Sequence, residues 1–181
     1  FIESPVGNIL VTGDFAKDDQ LTVSGYRIPN NLDVDILIME STYGFGDNTF
    51  FIERKEQEEI VWQEICEFVK DRGGTVLIPS FAVGRAQEIL LLLKNKPDAD
   101  FPIYYDGMVK DICEIYERFH DHLMDDTQTL RNETGSLFKS PYLQAVNLKD
   151  LRIGSLDDFI QSEIIDKPCC IVASSGMLTE G

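Results

Sequence analysis

Two acidic side chains, Asp14 and Glu40, follow short apolar runs of the sequence and are the first candidates for catalysis. Asp14 follows the run at residues 9–12, and Glu40 follows the run at residues 35–39. A carboxylate at the end of a buried strand is held firmly yet reaches the edge of the sheet, where it can bind a metal ion. Each residue also has a purely structural interpretation: Asp14 as a turn residue, because Gly-Asp is common in turns, and Glu40 as a carboxylate that ends a strand. The sequence predicts that the two carboxyl groups lie near each other.

A second group of polar residues follows later predicted strands. An apolar run at residues 75–78 leads through the loop 80–84 into a helix that starts near Arg85. Such a turn is a common anion site in α/β proteins, because the first turn of a helix leaves backbone N–H groups unpaired. The polar candidates in this group are Ser80, Arg85, Ser174, Ser175 and Gly176. We expect them to converge on one crevice; the alternatives are an ordinary turn at residues 174–176 and an ion pair of Arg85 with Glu88 or another carboxylate.

The elements that must position these residues alternate between helix and strand from about residue 53. Predicted helices cover residues 53–71, 85–95, 107–123 and 157–165, and predicted strands cover residues 75–78, 102–105 and 169–173. The residues expected to form the apolar helix stripes are Ile60, Val61, Ile65, Phe68 and Val69, then Ile112, Ile115, Phe119 and Leu123. Residues 125–150 are weakly patterned and should hold a loop and a short helix. The fold class predicted is α/β, with a mainly parallel, Rossmann-like sheet covered by helices on both faces.

Residues 1–44 have a different pattern, with two apolar strands separated by a polar stretch rich in Asn and Gly. The segment at residues 44–48, Gly-Phe-Gly-Asp-Asn, is a predicted hinge or crossover loop. We therefore expect two parts, a small strand-rich piece over residues 1–50 and an α/β domain over residues 51–181.

The overall composition limits the class of protein. The chain has 181 residues, 43% hydrophobic and 27% charged, which is ordinary for a globular protein. No apolar run is long enough to span a membrane, and the N-terminal residues lack signal-peptide character. The absence of an initiator Met suggests an excised piece of a longer protein. The formal net charge of −16 argues against an autonomous nucleic-acid-binding module, since such modules carry a basic surface.

The four cysteines are irregularly spaced and match no zinc-finger pattern. Cys66 and Cys113 lie within apolar helical patterns, while Cys169 and Cys170 lie in a predicted buried strand. They are expected to be reduced packing residues, which favours a cytoplasmic location.

Four ordered segments of the chain resemble the β-CASP branch of the metallo-β-lactamase superfamily, the RNA-processing nucleases related to cleavage and polyadenylation factors. The segments are Gly-Asp-Phe at 13–15, Asp-Ile-Leu-Ile-Met-Glu-Ser-Thr-Tyr-Gly at 35–44, the run at 75–90, and Ala-Ser-Ser-Gly-Met-Leu-Thr at 173–179. Together they extend over nearly the whole chain, and four blocks in this order are far more specific than one.

The resemblance implies a role for each candidate. Asp14 matches an aspartate that bridges two metal ions, usually zinc, and Glu40 matches an acidic residue that orients a histidine acting as general acid. Residues Ser174 and Ser175, with nearby backbone N–H groups, match the part that holds RNA phosphates. The implied partner is single-stranded RNA, with homo-oligomerisation an open possibility and no membrane. The implied parent is a metal-dependent ribonuclease in which residues 1–50 end the first metallo-β-lactamase half and residues 51–181 form the β-CASP domain.

The departures from the family pattern matter as much as the matches. The family's main metal motif, His-x-His-x-Asp-His, precedes the Gly-Asp segment and is missing here; His120 and His122 instead end a predicted helix and are expected to hold no metal. One carboxylate cannot hold two zinc ions, so the chain alone should be inactive and free of zinc. A non-catalytic β-CASP scaffold subunit is the alternative, and the sequence flanking the chain would distinguish the two. An unrelated Rossmann-like nucleotide-binding module is disfavoured, because no Gly-x-Gly-x-x-Gly turn follows a predicted strand.

Overall fold

The computed structural model of this chain describes residues 1–42, 44, 52–96, 99–146 and 167–174. Its strands are β1 (Ile9–Val11), β2 (Ile36–Ile38), β3 (Thr75–Pro79), β4 (Ile103–Asp106), β5 (Leu143–Ala145) and β6 (Cys169–Ala173). Its helices are α1 (Arg54–Cys66), α2 (Arg85–Lys94), α3 (Met108–Arg118) and α4 (Asp125–Thr134). A wider π-helical turn, Glu67–Asp71, continues α1, and a single 3₁₀ turn, His120–His122, follows α3.

Four of the strands form one parallel sheet in the order β3-β6-β4-β5. The predicted runs at 75–78, 102–105 and 169–173 therefore lie in one sheet, which confirms the α/β class and the parallel arrangement. The register pairs Pro79 and Asp106 with Ala173, so β3, β6 and β4 end at the same level. The residues that follow these three strands are consequently neighbours at the carboxyl edge of the sheet.

The buried core lies between this sheet and the helices. Trp62, Ile65 and Val69 from α1 and its following turn join three leucines of α2 and the α3 residues Val109 and Cys113. The strands contribute alternate residues to this cluster: Ile103, Tyr105, Leu143, Cys170 and Val172. One face of the sheet is thereby packed against these helices, while the helix predicted at 157–165 lies outside the described residues.

Two of the predicted helix stripes were partly wrong. In α1 and its extension, Ile65 and Val69 are buried as expected. The other three predicted residues are exposed: Ile60, Val61 and Phe68. Trp62 is buried instead and stacks on Phe101 with a distance of 5.7 Å between the ring centres. In α3 the buried stripe runs through Val109 and Cys113, whereas Ile115 and Phe119 are half exposed. The reason is that the sheet fixes which side of each helix faces inward, and the apolar spacing of these sequences suits more than one side. The predicted short helix within 125–150 is α4.

Burial of the strands also differs from expectation. An uninterrupted apolar run such as 75–78 is typical of a strand buried on both faces, but in β3, at one end of the strand order, Leu77 is 55% exposed. The strand buried on both faces is β6, which lies inside the sheet. The parallel pair β1-β2 was expected to be buried, yet Ile36, Leu37 and Ile38 are 52–54% exposed. These two strands form a sheet of their own, and no other described element covers them.

Cys113, Cys169 and Cys170 are buried reduced thiols, and Cys66 is partly buried beside the core, in agreement with a packing role. Burial raises the pKa of Cys113 and of Cys170 to about 12. In the described part of the chain, no helix has the length and apolar character needed to cross a membrane.

Candidate functional site

The structure brings Asp14 and Glu40 to one edge of the β1-β2 pair. The two strands are parallel, so the residues that follow them leave on the same side, and the Thr12 N–H donates to the Ile38 carbonyl at 3.0 Å. The Glu40 carboxylate accepts a 3.4 Å hydrogen bond from the backbone N–H of Phe15, the neighbour of Asp14, and a 3.0 Å bond from the Thr42 N–H. The segments that carry the two acids are therefore adjacent, while the closeness of the two carboxyl groups stays a prediction.

The hydrogen bonds at Glu40 favour its ionised form. Contacts from the Thr42 side chain and backbone, followed by the Phe15 N–H, lower the pKa of this carboxyl group. An ionised carboxylate at this position can orient a cationic partner and keep it protonated. Asp14 itself is exposed.

Ser80 is the most informative residue at the carboxyl edge of the larger sheet. Its backbone N–H donates to the Ala173 carbonyl at 2.9 Å, which extends the β3-β6 pairing by one bond. Its side chain is 1% exposed, and the hydroxyl has no hydrogen-bond partner among the described residues. A buried polar group without a partner is costly, so its presence requires an explanation. A ligand atom at this edge would provide that partner.

Ser174 lies between Ser80 and Gly107 at the same edge, because β6 lies between β3 and β4. Ser174 follows β6 directly, and Gly107 follows β4 with φ +68°. A Cβ built on Gly107 would lie 2.7 Å from the Ser174 hydroxyl oxygen, closer than real side chains approach. The missing side chain at Gly107 thus leaves the space that the Ser174 hydroxyl occupies. Ser175 and Gly176 lie outside the described residues.

Arg85 is the first residue of α2 and is exposed. The sequence left open an ion pair with Glu88, and the structure contradicts it, because Glu88 pairs with Arg54 at 2.9 Å instead. Arg85 forms no ion pair within the described part of the chain, so its guanidinium group is available to a ligand.

A scan against family models matches residues 86–181 to the Beta-Casp domain. This match covers more than half of the chain and begins one residue after Arg85, at the first turn of α2. The chain belongs to the Beta-Casp family.

The Beta-Casp chain is also similar to several curated proteins. It is 35% identical over 179 residues to the transcription termination factor FttA of Methanocaldococcus jannaschii, covering 96% of this chain and 26% of that protein. It is 33% identical over 180 residues to the endoribonuclease YSH1 of Yarrowia lipolytica, covering 96% and 20%. The similarity to the RNase aCSPSF2 of Saccharolobus solfataricus is 36% over 122 residues, covering 67% and 24%. The chain therefore spans about a quarter of the length of these relatives, whose names connect the family with RNA.

Two buried polar residues of this Beta-Casp helix were missed by the sequence analysis. Gln87 is fully buried; its Oε1 accepts the Gly84 N–H at 2.8 Å, and its Nε2 donates to the Ala82 carbonyl at 3.1 Å. Gln87 thereby fixes the loop between Ser80 and Arg85, and Glu88 binds a distant segment. The available signal was a Gln-Glu pair directly before the apolar run at residues 89–93.

Zinc is the metal implied by the family resemblance, and the described residues do not form a zinc site on their own. Across the described ranges, no group of three or more His, Cys, Asp or Glu side chains is arranged to hold a metal ion. Asp14 could serve as one ligand, whereas a catalytic zinc needs about three from the protein. His120 and His122 lie on the turn after α3, where the His120 Nε2 is 3.2 Å from the Asp121 carboxylate.

Proposed function

We propose that the full-length protein carrying this chain is a cytoplasmic, metal-dependent ribonuclease that hydrolyses phosphodiester bonds of single-stranded RNA. The Beta-Casp match and the relatives named endoribonuclease and RNase support this proposal. The observation that carries it is the buried hydroxyl of Ser80, unpartnered within the described residues, at an edge that also presents Ser174.

We assign the roles as follows. Asp14 is one ligand of the catalytic zinc ions, whose other ligands come from outside the chain, and Glu40 orients the group that protonates the leaving oxygen. The residues that hold RNA phosphates are Ser80, Arg85, Ser174, Ser175 and Gly176. Residues 1–50 belong to the metallo-β-lactamase half, and residues 51–181 form the RNA-holding domain. The 181-residue chain alone is inactive, because it contributes only one of these ligands.

A hydroxyl that binds a phosphate oxygen strengthens RNA binding by its hydrogen bond to a charged group. Because Ser80 has no protein partner among the described residues, removing its hydroxyl leaves none of the other described groups unpaired. Ser80→Ala in the full-length protein should therefore keep or slightly raise the melting temperature. A hydrogen bond to a charged group contributes about 1.5–3 kcal/mol, so affinity for RNA should fall roughly 10- to 100-fold.

Ser140→Ala is the matched control. Its hydroxyl oxygen accepts the Tyr142 and Leu143 N–H groups at 3.3 and 3.0 Å, so its loss should lower stability and leave RNA affinity unchanged. Fluorescence anisotropy with a labelled single-stranded oligonucleotide, with a chelator present to prevent cleavage, measures the affinity. If Ser80→Ala binds RNA as the wild type does, Ser80 does not contact the phosphate. If the wild-type protein does not cleave RNA after metal is added, the proposed function is wrong.

A further inference from the structure

Glu88 is a buried carboxylate that binds two separate segments of the chain, one at Leu21 and Thr22 and one at Arg54. It is 5% exposed. One oxygen accepts the Leu21 N–H at 2.8 Å and the Arg54 Nη2 at 2.9 Å. The other accepts the Thr22 N–H at 2.7 Å and the Thr22 hydroxyl at 2.5 Å. Four donors compensate the desolvation of this charge, and a neutral side chain could not accept from all of them.

Leu21 and Thr22 form the tip of a folded segment, residues 16–26, which we call the docking loop. The Thr127 hydroxyl of α4 donates to the Leu21 carbonyl, and the Leu21 side chain packs against the core. Within the loop, the Asp19 carboxylate accepts the Gly25 N–H at 2.7 Å. Any side chain at Gly25 would overlap the opposite backbone of the loop. The docking loop is therefore a preformed unit whose tip inserts beside α2.

The base of the docking loop lies next to the edge of the β1-β2 pair that carries Asp14 and Glu40, which we call the acidic edge. Phe15, directly before the loop, and Tyr26, its last residue, have their rings in edge-to-face contact at 5.2 Å, and the Tyr26 N–H donates to the Ala16 carbonyl at 2.8 Å. Phe15 follows Asp14 and also donates its N–H to Glu40. The described hydrogen bonds between residues 1–44 and the later part of the chain run through the loop tip. The position of the acidic edge thus depends on how the tip is held.

The same turn of α2 holds the Ser80 loop. Gln87 binds both sides of that loop, and Glu88 is the next residue. A single helical turn therefore fixes the loop that we propose contacts RNA and the segment that leads to Asp14.

We infer that Glu88 is a positioning residue that sets the distance between the acidic edge at Asp14 and the RNA-holding loop at Ser80. This inference rests on the proposed function only for its effect on RNA cleavage. The hydrogen bonds from Leu21 and Thr22 to Glu88, which we call the clamp, are a property of the described chain. Cleavage requires the scissile phosphate at the metal edge while neighbouring phosphates stay on the loop. A shift of about 1 Å in such an arrangement can reduce the rate by about 10²-fold.

The test compares Glu88→Gln with Glu133→Gln in the full-length protein. The first change keeps the shape but replaces one accepting oxygen with a donor, and the second makes the same change at an exposed position of α4. Spin labels on Val11→Cys and Val83→Cys, both exposed positions, report the distance between the two regions once Cys66 and other reactive cysteines are replaced. Single-turnover cleavage of a saturating single-stranded RNA is measured in parallel, on unlabelled protein.

We expect a narrow distance distribution in the unmodified protein and in Glu133→Gln, a broad one in Glu88→Gln, and about 10²-fold slower cleavage in Glu88→Gln alone. A narrow distribution in Glu88→Gln overturns the inference, as does a broad one with unchanged cleavage. If Glu88→Gln does not fold, Thr22→Val replaces it, because it removes only the hydroxyl donor; an unchanged distribution in that variant also overturns the clamp. If the wild type cleaves no RNA, the proposed function is wrong. The distance measurement alone then shows whether Glu88 holds the two regions at a fixed distance.

Discussion

At the scale of single residues, the buried polar and sulfur groups of this chain differ in whether the described residues give them a partner or a packing role. The hydroxyl of Ser80 is buried at a sheet edge without a partner among the described residues, which is why we propose it as a ligand contact. The thiols of Cys113 and Cys170 are buried and pack within the core. Burying the Ser80 hydroxyl without a partner lowers the free energy of unfolding unless a ligand supplies a hydrogen bond, whereas the buried thiols stabilise the fold through packing.

The cysteines give a prediction at this scale. Burial raises the pKa of Cys113 and Cys170 to about 12, so both stay protonated and unreactive at pH 8 in the folded protein. Iodoacetamide at pH 8 should modify Cys66, which is partly buried, well before Cys113, Cys169 or Cys170. Mass spectrometry of peptides after timed labelling measures the rates, and labelling in denaturant is the control for intrinsic reactivity.

The same pKa values set the sign of a pH effect. A thiol whose pKa is raised on folding ionises more easily when unfolded, so its contribution to stability is lost as pH rises from 9.0 towards 12. Labelling of Cys113 in the folded protein as fast as that of Cys66 would contradict this account of the core.

At the scale of elements, the carboxyl edge of the parallel sheet is the feature that organises the candidate site. The register places Pro79 and Asp106 level with Ala173, so Ser80, Gly107 and Ser174 follow three adjacent strands. The apolar runs that form these strands could be recognised from the sequence, and so could the edge on which they end.

Gly107 gives a prediction at this scale. Its φ of 68° and ψ of −151° lie in a region essentially restricted to glycine, and an added Cβ would meet the Ser174 hydroxyl at 2.7 Å. Gly107→Ala should cost about 1–3 kcal/mol from backbone strain alone, and more from the overlap. It should also weaken RNA binding by displacing Ser174.

Gly135→Ala is the control for this substitution. Gly135 also has a positive φ, 76°, but lies in the left-handed helical region with no atom within 4 Å of an added Cβ. Thermal unfolding of the full-length variants should show a smaller loss of stability for Gly135→Ala and unchanged RNA affinity. Equal behaviour of the two variants would show that the contact between Gly107 and Ser174 has no role.

The sequence was less informative where contacts join distant elements. Glu88 meets Leu21 and Thr22 across 67 and 66 residues, and no local pattern records such a partner. Trp62 is buried because Phe101 lies opposite it, which depends on the packing of α1 against the sheet. The exposure of β1 and β2 was also missed, since an apolar run predicts a strand but cannot report which layers cover it.

At the scale of the whole molecule, the charge of this chain limits its part in the proposed RNA binding. The net charge of −16 over the 181 residues disfavours broad contact with a polyanion, so the contacts that we propose are local ones, from hydroxyl groups, backbone N–H groups and a few cations such as Arg85. The metal ions that we propose at the acidic edge would add positive charge there and reduce the repulsion of RNA phosphates. The assignment of that edge to catalysis is the central claim, and it concerns the full-length protein.

The most direct test of that claim is single-turnover cleavage of single-stranded RNA, with metal analysis, on full-length wild type, Asp14→Ala and Glu40→Ala. Asp18→Ala, an exposed aspartate four residues away, is the control for lost charge. We expect Asp14→Ala to lose metal and activity together, and Asp18→Ala to keep both. Glu40→Ala should retain its metal with a rate lower by roughly 10²–10⁴, as lost general-acid catalysis gives. Full cleavage and metal content in Asp14→Ala, or loss of metal in Glu40→Ala, would contradict the roles assigned to this edge.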